Sequence, residues 1–208
     1  MNRLQAVNYI LQRCGLGPVS ALQTDTASEA SWAEQEYNRS SLNIHSVGWH
    51  WNTWVDKELF VDANGNISAP TGTITLDSYG TDADRDIALV GDLVYDLDNN
   101  TFDFTGTTSM RFKIVVLHEP ECIPYPFRHW IVEDASFQFI STRGTHFLSQ
   151  ADLSVMIGNI FRSKLAAEAA ANRFNANEGN ENILETDRIL RVKGNRYRDS
   201  YGVPRGVW

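Results

Sequence analysis

The sequence predicts an α+β fold: a bundle of about four helices with an inserted antiparallel β domain and an extended C-terminal tail. Three observations predict it. Apolar residues recur at helical spacing in residues 1–49 and 119–183, the period shortens towards two in residues 50–118, and residues 184–208 are polar, basic and aromatic. A chain of 208 residues buries roughly 70% of its unfolded surface and builds a core without staples. With 42% hydrophobic and 21% charged residues, it falls among globular proteins rather than disordered ones.

Leu4, Val7, Ile10, Leu11 and Cys14 predict an amphipathic helix over residues 3–14, ended by Gly15, Leu16, Gly17 and Pro18. Val19 to Leu22 read as a brief extended piece. Thr26 and Glu29 have the spacing of a capping box. Ala30, Ala33, Tyr37, Ser41 and Ile44 then continue at intervals of three or four, which predicts a long helix over about 27–46. Its small-residue face admits another helix closely, within a subunit or between subunits. Gly48 closes it.

Beyond this glycine, Trp49, Trp51 and Leu59 to Val61 read as strands, and Asn64-Gly65 is a hairpin turn signal. Ile74 and Leu76 alternate with threonines. Ala88 to Val90, Leu93 to Tyr95, Phe102 to Phe104, and Phe112 to Val116 complete a region of short strands and close turns. After Pro124 and Pro126 the helical period returns through Phe127, Trp130, Ile131, Ala135 and Phe139, with Gly144 as its stop. A last helix is expected over about 149–173, with Leu153, Met156, Ile157, Ile160 and Leu165 on one side and an alanine-rich end that favours helix by propensity. Asn175 to Asn182 should break it.

Charge and chemistry narrow the function. The net charge is −8, but residues 186–208 hold six basic against two acidic side chains, +4, leaving −12 on the rest. An acidic body argues against wrapping nucleic acid, and a basic tail suggests a docking arm for an acidic surface. No apolar run reaches the ~20 residues of a membrane helix, and the N-terminus lacks the features of a signal peptide, so folding in a cytoplasm is expected. Cys14 and Cys122 have no zinc or CxxC spacing and are expected as reduced, largely buried thiols.

The five histidines form no HExxH or zinc set, and there is no GxSxG or P-loop. The acidic runs at Asp82–Asp86 and Asp96–Asn100 begin like calcium loops. They carry Ile87 and Leu93, or Thr101 and Thr107, where an EF-hand needs glycine and glutamate, and read as solvated hairpin loops. No metal, cofactor or catalytic residue is expected. In the tail, Arg188, Arg191, Lys193, Arg196 and Arg198 interleave with Tyr197, Tyr201 and Trp208, residue types enriched at protein interfaces.

Several segments together resemble a known family. Ala6-Val7-Asn8, Ile10-Leu11, Gly15, Pro18-Val19-Ser20 and Leu22 are followed by Ser46, Gly48-Trp49 and Asn52. Gly91 to Asp96 comes next, then Pro120-Glu121-Cys122, Phe127-Arg128, Trp130-Ile131-Val132, Ala135, Phe139 and Arg143-Gly144. In this order, over residues 4–160, they are similar to the tail tubular protein A family, the adaptor or gatekeeper proteins of short-tailed bacteriophages.

The resemblance implies a virion tail protein without enzymatic activity, assembled in the host cytoplasm into a ring of typically twelve copies. Its partners would be the portal protein, the tubular nozzle protein and the tail fibres, with genomic DNA passing through the channel without specific binding and no membrane contact. Arg188, Arg191, Lys193, Arg196, Tyr197, Arg198, Tyr201 and Trp208 would form the portal-docking arm, and Ala30, Ala33, Tyr37 and Ser41 the helix-packing or ring interface. Two alternatives differ in class. One is a tail-associated hydrolase of host cell-wall or surface polysaccharide, using two of Glu119, Glu121, Glu133 and Asp134. The other is a cytoplasmic binding module unrelated to virions.

Overall fold

A computed structural model describes residues 1–22 and 28–178. They fold as an α+β protein with four α-helices, and the five β-strands lie in sequence between the second and third helix. The arm assigned to 184–208 and the capping residue Thr26 lie outside the described residues.

Helix α1 spans Arg3–Arg13. Asn2 accepts from the Gln5 amide while the Gln5 side chain accepts from the Asn2 amide, a reciprocal cap that satisfies two exposed donors. Ala6, Val7, Ile10, Leu11 and Cys14 face the core. Gly15 adopts φ +77°, and the Leu16 and Gly15 amides return to the Leu11 and Gln12 carbonyls, the paired bonds of a glycine-terminated helix. The extended piece that follows joins no strand; the Asn8 side chain holds Val19 through both its amide and carbonyl, at 2.8 and 2.9 Å.

Helix α2 spans Glu29–His45, and its cap is Ser28, whose side chain accepts from the Ser31 amide. Trp49 and Trp51 are not in a strand. Trp51 sits in a 3-10 turn at His50–Asn52, the Trp49 indole donates to the Ile44 carbonyl at 2.6 Å, and both rings pack on Phe127 at 4.9 and 5.2 Å. Alternate aromatic spacing here serves the helical core instead of a sheet.

Strands β1 (Thr53–Phe60), β2 (Thr73–Ser78) and β5 (Ser109–Val116) form an antiparallel sheet in the order β1-β5-β2, while β3 (Ile87–Val90) and β4 (Leu93–Asp96) pair with each other. Central β5 buries Met110, Phe112, Ile114 and Val116 on alternate positions, and these join Ile67, Leu76, Val94 and Phe104 in a second hydrophobic cluster. Phe102 to Phe104 is not a strand: only Thr101 bridges to Asp96, and Phe104 reaches the cluster from a loop. Gly65, at φ +83°, turns the chain between Val61 and Ile67, which form a single antiparallel bridge.

Helix α3 spans Tyr125–Arg143 and α4 spans Gln150–Glu178, so the asparagines from 175 onwards do not break α4 at once. Gly144 is no left-handed stop; its φ is −56°. A Cβ there would overlap the Leu153 and Ile140 side chains, so glycine eases the approach of α4. Leu165, expected on one side of α4 with Leu153 and Ile160, is 46% exposed while those two are buried, as are Ala167 and Ala171. Cys14 is buried but Cys122 is exposed; both are free thiols. Asn52 ties the two clusters together, its amide donating to the His45 carbonyl on α2 and the Val116 carbonyl on β5, at 2.9 and 3.1 Å.

Candidate assembly interface

The four residues of the α2 face are inside the subunit. Ala33 is fully buried, and Ala30, Tyr37 and Ser41 are no more than 5% exposed. Helices α1 and α3 fill the space that the two alanines leave, and burial pushes the Tyr37 hydroxyl up to about 12. The small-residue face thus packs helices of one subunit; contacts between copies need other surfaces.

Two carboxylates on α3 organise that packing. Glu133 is 1% exposed; it accepts from the Tyr9 hydroxyl at 2.5 Å and pairs with Arg13 at 3.0 Å. A buried carboxylate is tolerated only when paired and hydrogen-bonded, and α1 supplies both partners. Burial, then the bond to Glu133, raises the Tyr9 hydroxyl far above its usual range. Burial likewise raises the neighbouring Cys14 thiol to about 12, which leaves it un-ionised and inert. Asp134, one residue on, takes Ser40 of α2 at 2.7 Å and Lys164 of α4 at 2.6 Å. Glu133 and Asp134, two of the four carboxylates considered for glycoside hydrolysis, are therefore helix-to-helix ties. Glu119 and Glu121 stand exposed at a 3-10 turn, Pro120–Cys122.

At the C-terminal end of α2, His45 is fully buried. Its Nδ1 donates to the Ser41 carbonyl at 2.7 Å, and its ring lies 4.9 Å from Trp51 and 6.4 Å from His118. Burial lowers its pKa, opposed by the Ser41 bond and assisted by His118, so the imidazole is neutral.

The acidity of the chain belongs to the strands and their turns. Residues 53–118 carry eleven acidic and four basic side chains, −7 of the −12 on residues 1–185. The two calcium-loop-like runs use their carboxylates locally. Asp96 binds the Asn99 amide and side chain, which hold its carboxyl below the usual range. Asp98 accepts from the Asp86 amide and Asp82 from the Arg111 amide. With Arg85, Asn99, Asp103 and Thr107, Asp96 and Asp98 line a polar recess of about 350 Å³. Among the described residues, no group of three or more His, Cys, Asp or Glu is placed to hold a metal ion, and no helix is long and apolar enough to cross a membrane.

The motif residues thus act as structural ties: Asn8 on Val19, Gly15 at a helix end, Trp49 on Phe127, Asn52 across the seam, Gly144 under α4. The structural roles of Glu133 and Asp134 were missed by the sequence reading, which weighed them only for the alternative hydrolase. The signal available was two adjacent carboxylates within an apolar helix, which demand partners wherever they are buried.

No curated protein matches the chain. A family model described as Tail tubular protein matches residues 4–182, taking in all four helices and all five strands. The chain therefore belongs to the tail tubular protein family, as a structural component of the bacteriophage tail.

Proposed function

We propose that this protein is the adaptor subunit between the portal and the tail nozzle, forming a ring of twelve copies around the path of DNA ejection. The family match over residues 4–182 carries this reading. Two further observations support it. Two of the four carboxylates that could have done chemistry, Glu133 and Asp134, hold helices together. The −12 of residues 1–185, repeated around a channel, would repel DNA phosphate and let the genome slide.

In this reading residues 1–49 and 119–183 form the ring-building bundle. The inserted domain of 50–118 faces the nozzle and fibres, and 184–208 docks on the portal through its arginines and aromatics. The test is electron microscopy of the purified chain mixed with its cognate portal. A ring seated on the portal is expected, and a portal that stays bare refutes the proposal. Removing 184–208 should weaken portal binding; equal binding by the truncated chain refutes the docking arm alone.

A further inference from the structure

Helix α4 is apolar on both sides. Its inner side buries Leu153, Ile160, Ala167 and Ala171. On its outer side Val155, Phe161 and Leu165 are 65%, 42% and 46% exposed, with Ala166 and Ala169 exposed beside them. Exposed Ser154, Asn159 and Asn172 share this side with two arginines, yet three large apolar side chains among them are more than a surface helix ordinarily shows solvent.

Gly158 lies on the same outer side, in mid-helix, where glycine is weaker than alanine. A Cβ at this position would meet nothing within 4 Å, so nothing among the described residues requires the glycine. A surface approaching the helix backbone from outside would.

We propose that this outer side of α4 is a contact between copies, covered by strand β1 of a second copy of the chain. The charges select the occupant. The outer side carries Arg162 and Arg173, with one acidic group, Glu168, at its margin. Arg162 bonds to its own helix, at the Gly158 carbonyl and the Asn159 side chain. The chain's own residues 186–208, at +4, would be repelled from it.

The region of 53–118, at −7, would be attracted, and its edge offers matching apolar groups. Among the described residues, strand β1 pairs with β5 on one side only. It presents Trp54, Val55 and Phe60, each at least 36% exposed, around Glu58, Asp56, which pairs with Arg111, and Lys57, which lies over the Trp54 ring. A contact between two different faces of one subunit repeats from copy to copy and closes into a ring when its rotation divides a full turn. The inference rests on the ring proposed above and assigns its faces.

The test places a photo-crosslinking phenylalanine analogue at Leu165 in the full-length chain and irradiates it after assembly on the portal. The expected product is a covalent dimer of the chain, with the adduct mapping to residues 53–60. An adduct on another protein, on residues 184–208, or none at all overturns the contact while leaving the ring intact. A bare portal with the unsubstituted chain instead removes the ring reading itself.

A second variant, Gly158→Leu, should melt at or above the unsubstituted temperature, because leucine is the better helix former. It should lower ring assembly by at least about tenfold at each association step. Unchanged assembly by this folded variant overturns the inference.

Discussion

Two ion pairs of the same kind sit in the two regions of this molecule under different conditions. Among the helices, Glu133 is 1% exposed and its partner Arg13 34%. In the sheet, Asp56 and Arg111 meet at a shorter 2.7 Å but are 47% and 43% exposed. Distance would rank the sheet pair first. Burial reverses the ranking, since water and salt screen the exposed pair, while Glu133 has no solvent to fall back on. The helical region is thus held by a large apolar cluster threaded with paired charges. The β region has a smaller cluster under acidic turns that bind their own backbone.

The largest expected effect tests whether the two clusters are separate units. Phe112→Ala should cost about 3–5 kcal/mol by emptying the centre of the sheet cluster. Hydrogen exchange should then quicken for β5 amides while α1 to α3 amides keep their protection. Equal quickening in the helices would mean that Asn52 and its neighbours fuse the regions into one cooperative unit.

Arg13→Ala comes next, at about 3 kcal/mol, because it strands a buried carboxylate that only Tyr9 still contacts. Urea midpoints at neutral pH measure it, and a loss no larger than that of an exposed pair would contradict the ranking by burial.

His45 gives a smaller, pH-dependent effect. Its folded pKa lies below the ordinary value of about 6.5. The unfolded chain therefore takes up a proton that the folded chain refuses, so its contribution is full above about pH 6.5 and is lost as pH falls. Stability of His45→Gln should fall less steeply between about pH 7 and about pH 5.5 than that of the unsubstituted chain. Parallel profiles would remove His45 as the cause.

The smallest effect is Arg111→Ala, a small loss because solvent and salt screen the exposed pair, with its salt dependence as the check.

Much of the fold was legible in the residues. The span and inner face of α1, the alternation of β5 and the Asn64-Gly65 turn follow from periodicity and turn chemistry, which act over a few neighbours. Of the candidate assembly residues, only composition could be read for 184–208. For Ala30, Ala33, Tyr37 and Ser41 the sequence announced a packing face but not what packs there.

By itself, then, the sequence determined the element types, the helix-strand-helix order, the uneven charge and the motif order that marks the family. Tertiary structure alone decided which partner each element meets. Trp49 and Trp51 left the sheet for Phe127. Gly144, which ends α3 as the sequence predicts, proved also to be a close approach to the Leu153 side chain. Glu133 found Tyr9 across 124 positions. On α4, apolar residues surround the helix, so periodicity could not say which side faces in, and Leu165 was assigned to the wrong one. Local propensity is set by a residue and its near neighbours, whereas burial and pairing are set by whatever the folded chain brings within a few ångströms.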